Sequence, residues 1–282
     1  MERADGEASG LKKDCPGFAM GPGRPIQVCV PPAREYDCSN STLGGRMQER
    51  YLGDSHDFLK YALLRHLHAS LGVRLGVNWY LTKPEAVDRP GNNDGEKRHH
   101  LKGGIWHETD PALLQGLRGF EDQAARTLNN VAAWGLLPPD TEYFADEVSP
   151  VDRSGWHRRS LDALASTDLV FLDPDNGFEV QSMTRRTTPK YALFNEAQEH
   201  FATGKAVVAI QFARQCDPIA RAQAIRTELE DRCGPIARLP VIRGRVAPNI
   251  LFFTLAPPSV SNAISEALEA FAGRCEKVDL IS

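Results

Sequence analysis

The chain has no apolar run approaching the roughly 18 residues that span a bilayer, and no signal-peptide core near its first residue. Those two gaps predict a cytoplasmic protein with no membrane partner. Sulfur chemistry is sparse as well. The six cysteines, Cys15, Cys29, Cys38, Cys216, Cys233 and Cys275, form no C-x-x-C pair and no zinc-like spacing, so reduced thiols are expected and no metal ligands are assigned. A formal net charge of -4 argues against a generally basic nucleic-acid coat and leaves room only for a local basic face. No internal repeat is visible, which removes solenoids and propellers. Residues 1–46 lack sustained hydrophobic periodicity, and repeated Gly and Pro between 16 and 32 forbid a long helix or a central strand. They are expected to form a flexible N-terminal extension, or upstream sequence read from an early start codon ahead of Met47.

What remains, residues 47–282, has the makings of one core. The whole chain of 282 residues is 41% hydrophobic and 25% charged, ordinary for a globular protein long enough to bury a full interior. The most telling stretch runs from Asp168 to Glu179. Leu169, Val170, Phe171 and Leu172 make a short apolar run that drops into Asp173-Pro174-Asp175-Asn176-Gly177-Phe178-Glu179. Such a run reads as a buried parallel strand, and ligands of open α/β sheets bind beyond the carboxyl ends of strands. Asp173, Asp175, Asn176 and Glu179 are therefore candidate catalytic residues. Asp-Pro-Asp-Asn-Gly is also good turn chemistry on its own account. Three acids within seven residues repel, however, unless a ligand, a metal or a base uses them.

The rest of the pattern alternates. Asp54-Ser55-His56-Asp57 offers an N-cap with an acid three positions on, and apolar residues recur at helical spacing up to Gly72. Helix chemistry alone makes Asp54 and Asp57 caps and Lys60 a solvated lysine; a neighbouring pocket would recruit Asp54, Asp57, Lys60 and Tyr61 from the same first turns. Residues 75–81 read as a strand, followed by a long polar loop over 88–104 holding Asn93, Asp94, Lys97, Arg98, His99 and His100. Basic residues beside an aromatic contact phosphates and stack a base, or else form a solvated lid. Adjacent His99 and His100 do not point at one ion. Helices are predicted over 111–134, 156–165, 191–201, 219–232 and 259–272. Short strands are predicted over 142–148, 206–212, 236–242 and 249–255, with Arg214 after the second and Arg243-Gly244-Arg245 joining the last two. This order predicts an α/β fold: a Rossmann-like, mostly parallel sheet with helices on both faces and a C-terminal antiparallel hairpin that supplies one antiparallel member.

The architecture, the Asp-Pro turn at a strand end and the terminal hairpin resemble a class I S-adenosylmethionine-dependent methyltransferase. More narrowly, the chain resembles adenine-N6 methyltransferases of large-subunit ribosomal RNA, which open with a helix carrying Asp-x-x-Lys-His. Asp57-Phe58-Leu59-Lys60-Tyr61 stands in that place, with Tyr61 for the histidine. The resemblance covers about residues 48–256. It implies that Lys60 contributes to the cofactor pocket and that the family's Asp-Pro-Pro-Tyr-Glu turn falls on Asp173-Pro174-Asp175-Asn176, with Glu179 displaced. Asp175 and Asn176 replace the second proline and the aromatic, so stacking is expected from Phe178. The Gly-rich turn after the first strand is missing, and residues 91–95, including Asn93 and Asp94, would take its place around the cofactor. Lys97, Arg98, His99, His100 and Arg214 would meet the substrate, a nucleic acid or another nucleobase-containing molecule. Two other readings stay open. Asp173, Asp175 and Glu179 suit Mg²⁺ or Mn²⁺ in a phosphoesterase or nuclease, whose extra carboxylate replaces the aromatic. Loss of the Gly-rich turn suits a non-catalytic binding module.

Overall fold

A computed structural model describes residues 49–82, 97–234 and 236–282. The expected N-terminal extension, Asn93 and Asp94 lie outside the described residues. In chain order the main elements are α1 (Ser55–Leu71), β1 (Leu75–Trp79), the short helices α2 (Ile105–Thr109), α3 (Pro111–Leu117) and α4 (Leu128–Ala133), β2 (Glu142–Phe144), α5 (Arg153–Ala163) and β3 (Leu169–Asp173). Then follow β4 (Gly177–Phe178), β5 (Tyr191–Ala192), α6 (Phe194–Ala202), β6 (Ala206–Ala213), α7 (Pro218–Cys233), β7 (Val241–Gly244), β8 (Asn249–Leu255), α8 (Ser261–Arg274) and β9 (Val278–Ile281).

Seven strands form one sheet in the order β2-β1-β3-β6-β8-β7-β9, while β4 and β5 pair separately. The first four are mutually parallel, with Leu75 opposite Leu169 and Leu172 opposite Ala209. β8 runs antiparallel to both β6 and β7, and β9 antiparallel to β7. This is the expected α/β architecture, with one difference at the far edge. β9 was not foreseen, so two strands rather than one oppose the parallel set. Its four residues pair with the β7 edge, where Val278 and Ile281 are buried and Asp279 is partly exposed.

The sheet divides the core by the period-2 alternation of its strands. Leu75, Val77, Leu169, Phe171, Val208 and Ile210 face α1, α3 and α8. Val170, Leu172, Val207 and Ala209 face Trp156 of α5, Ala197 of α6 and Ile225 of α7. Each fully buried Val, Leu, Ile or Phe among them contributes about 1.5–3 kcal/mol of burial free energy.

Where boundaries shifted, local chemistry explains it. The helix expected over 111–134 is broken, because Asp122 caps Ala124 and Thr127 caps Asn130, each holding extended backbone between short turns. Residues 191–192 join β5 before α6 begins at Phe194. Arg243 and Gly244, expected in a connection, belong to β7, and that strand begins at Val241 rather than 236. The strand expected over 142–148 ends at Phe144, with a bridge from Leu81 to Glu147 beyond it.

Candidate functional site

β1 and β3 are neighbours whose onward connections diverge: β1 leads outward to β2, and β3 leads the other way to β6. A strand pair of this kind is a switch point, where a crevice opens beyond the carboxyl ends. Trp79 and Asp173 are the last paired residues there.

α1 brings its first turns to the carboxyl ends of these two strands. Asp54 caps the helix by accepting from the backbone N–H of His56 at 2.8 Å and of Asp57 at 2.9 Å. Asp57 reaches back to accept from the Gly53 N–H at 2.9 Å. Gly72, at φ +65, closes the other end in the left-handed region that glycine tolerates. Both acids are thus caps, as local chemistry predicts, but Lys60 is not a solvated lysine. It is buried, and its ammonium lies 2.8 Å from Asp173 Oδ1 and 3.2 Å from Asp57 Oδ1. The helix therefore delivers the cation that the end of β3 needs.

Electrostatics follows from this packing. Burial works against the charge on Lys60, yet Asp173, Asp57 and Asp54 outweigh it and hold the ammonium charged well above the ordinary lysine range. Burial raises Asp173, opposed by Lys60. Burial, with the charges of Asp54 and Asp173 added and Lys60 opposing, pushes Asp57 up to about 6. Asp54 moves down despite its burial, because His56 hydrogen-bonds and faces it, at 3.2 Å from Nδ1 to Oδ2. Beside this cluster Tyr61 is fully buried, and its hydroxyl has no hydrogen-bond partner among the described residues. Burial, then the nearby Asp57 and Asp173, drive its phenol well above the usual range.

The turn after β3 is built from across the sheet. Gln211 of β6 accepts from the Phe178 N–H at 2.9 Å and donates to the Asn176 carbonyl at 3.2 Å. Gly177, at φ +99, lies against it: a Cβ there would stand 2.5 Å from Gln211 Oε1. Asp175 and Asn176 are half-buried, and Thr82 donates to Asp175 at 3.4 Å. Glu179 is aimed away from Asp173's partners: it accepts the Phe194 N–H at 2.9 Å and so caps α6. Phe178 is buried, stacked on Phe194 at 4.6 Å with an interplanar angle of 4°. It is core, and stacking on a ligand would cost that packing.

Within the described part of the expected basic loop, two basic side chains serve the fold. Arg98 donates to the Gly53 and Leu52 carbonyls at 2.6 and 2.9 Å, and Lys97 donates to Ala247 at 2.8 Å. His100 is buried beside Ser55, and burial lowers its pKa to about 4. His99 is exposed. Arg214 is exposed at the end of β6, its guanidinium 5.3 Å over the Phe212 ring. Sequence reasoning did not single out Gln211, His56 or Phe212 as site residues. All three owe their position to sheet pairing or tertiary packing, which no local pattern reports.

Compared with known protein families and with curated proteins, the chain matches no family model and no curated protein. Among the described residues no group of three or more His, Cys, Asp or Glu is arranged to hold a metal ion.

Proposed function

We propose that the protein is an S-adenosylmethionine-dependent methyltransferase-like enzyme acting on a nucleic acid or another nucleobase-containing substrate. The observation that carries this reading is the buried Lys60–Asp173 pair at the switch point of the sheet. It joins the helix and the Asp-Pro turn on which the family resemblance rests.

The donor set suits the cofactor. Asp54, Asp57 and Asp173 are three buried carboxylates around the Lys60 ammonium, an acidic surround that suits a cationic ligand. The orphaned Tyr61 hydroxyl adds a buried donor in need of an acceptor. When bound, S-adenosylmethionine supplies an electrophilic methyl group. The chain's own residues do the remainder: Lys60 fixes the Asp173 carboxylate, and Asp173 accepts a hydrogen bond from the substrate's amino group and orients its lone pair. Orientation of this kind is worth roughly 7–11 kcal/mol of barrier in well-aligned systems.

The Mg²⁺ or Mn²⁺ reading draws less support, since the Lys60 ammonium lies within ion-pair distance of Asp173, one of the carboxylates a metal would need. The test is transfer of labelled methyl groups to bulk RNA and DNA. Asp173→Asn should reduce transfer by about 10²-fold or more while cofactor binding persists, the scale on which a single electrostatic group acts. Transfer at the wild-type rate in that variant sinks the proposal.

A further inference from the structure

We propose that Phe212 and Arg214, at the carboxyl end of β6, form the subsite that receives the planar base of a nucleoside phosphate. This deepens the methyltransferase reading by naming where its acceptor docks.

The placement comes from strand register. Leu172 pairs with Ala209, so Asp173 falls beside Ile210, and Phe212 lies two residues further on the same face. At about 3.3 Å per residue, its Cα is some 7 Å along the strand from that level. The ring packs partly against the core under α1, and yet it stays half-buried between Gln211 and Ala213, which are buried. The other aromatics near these strand ends, Trp79, Tyr80 and Phe178, are buried.

The ring is held from one direction and covered from another. His56 meets it edge-on, centroids 5.1 Å apart at 86°, and is itself pinned between Asp54 and the Pro248 carbonyl, 2.9 Å from Nε2. The covering Arg214 is exposed. An aromatic face beside an exposed guanidinium is the equipment for stacking a base and meeting its phosphate. Gln211 precedes Phe212 in the chain and braces the Asn176–Phe178 turn, so one side chain fixes the spacing between the platform and Asp173. The subsite therefore supplies the stacking aromatic that the turn lost to Asn176.

The experiment titrates AMP, GMP, CMP and UMP one at a time by saturation-transfer NMR, and a labelled single-stranded RNA by fluorescence anisotropy. Full-length wild type, Phe212→Leu, Phe212→Tyr and Arg214→Ala are compared, each first checked by thermal unfolding. A mononucleotide or the RNA should bind wild type and Phe212→Tyr alike and Phe212→Leu about tenfold or more weakly, in line with base–aromatic stacking. Arg214→Ala should bind several-fold more weakly and with a shallower salt dependence. Mononucleotide binding without RNA binding identifies a free nucleotide as the source, and the reverse identifies a strand; both support the subsite. Should Phe212→Leu fail to fold, Arg214→Ala decides, and its unchanged affinity overturns the proposal. Equal binding by wild type and Phe212→Leu overturns it too, as does no binding at all. Titration of the same samples with S-adenosylmethionine separates the two readings. Phe212-dependent nucleotide binding without cofactor binding keeps the subsite and removes the methyltransferase reading; cofactor binding without nucleotide binding does the opposite.

Discussion

The ammonium of Lys60 stands 2.8 Å from a carboxylate oxygen of Asp173 at the carboxyl end of β3, where both side chains are almost wholly buried. One comes from the first turns of α1 and the other from the last residue of β3, so this ion pair fastens the helix to the sheet. Desolvating both charges is costly, and the arrangement holds only because each compensates the other.

Removing one partner should therefore be expensive. Lys60→Met takes the ammonium away from the buried Asp57 and Asp173, with an expected loss of about 3–5 kcal/mol in urea unfolding. The double variant Lys60→Met with Asp173→Asn should recover part of that loss, giving a coupling of roughly 0.5–3 kcal/mol in the cycle. Strictly additive losses would show that the pair does not act as a unit.

Gly177→Ala tests the turn. The residue sits at φ +99, and a Cβ would stand 2.8 Å from the Gln211 backbone Cα as well as close to its amide. Left-handed strain and overpacking together predict a destabilisation of about 1–3 kcal/mol or more by denaturant unfolding. A neutral result would mean that the turn after β3 is far more pliant than its bracing implies.

Much of this was legible in the chain itself, and the reasons are local. Asp54 and Gly72 mark α1 because a cap and a left-handed closure are written in single residues. The apolar runs of β3 and β6 announce buried parallel strands. Lys60 is different: its nearer partner, Asp173, lies on β3, far along the chain, so helix chemistry alone reads it as solvated. Phe178 reads the same whether it faces solvent or stacks on Phe194, and only packing decides. Glu179 likewise looks catalytic beside Asp173, but its partner is the α6 N-terminus. β9 is too short to carry a pattern of its own, and it exists because β7 offers an edge.

His200 should make stability depend on pH. It is buried on the opposite face of the sheet, with Ser160 Oγ 3.4 Å from Nε2 and the His157 ring 5.3 Å away. Burial, then the charges of His157 and Lys205, lower its pKa to about 3. An unfolded histidine titrates near 6.5, so between roughly 6.5 and 3 the unfolded chain holds the proton that the folded one refuses. Stability therefore falls on acidification through that window, by about 1.4 kcal/mol per pH unit at the steepest for one such group. Asp57 opposes this trend, since a raised carboxyl favours the folded state below its pKa of about 6. The clean observable is thus the difference in slope between wild type and His200→Gln, which should be shallower from pH 6 to 4. Parallel profiles would contradict the assignment.

Asp57 carries a second pH consequence, at the candidate cofactor site. Its pKa of about 6 means that acidification through that value removes one of the negative charges facing the crevice. Affinity for a cationic ligand should weaken below pH 6 in wild type, and Asp57→Asn should bind more weakly at pH 7.5 with a flatter profile. An affinity unchanged between pH 7.5 and pH 5 would detach Asp57 from the site.

The central claim is that the crevice between β1 and β3 is a cofactor pocket organised by Lys60 and Asp173. Calorimetric titration with S-adenosylmethionine, run on wild type, on Lys60→Met, and on wild type with Mg²⁺ or Mn²⁺ in place of the cofactor, tests it most directly. The account predicts saturable cofactor binding to wild type that is lost or at least tenfold weaker in a folded Lys60→Met variant. Metal binding without cofactor binding, or cofactor binding indifferent to Lys60, would contradict it.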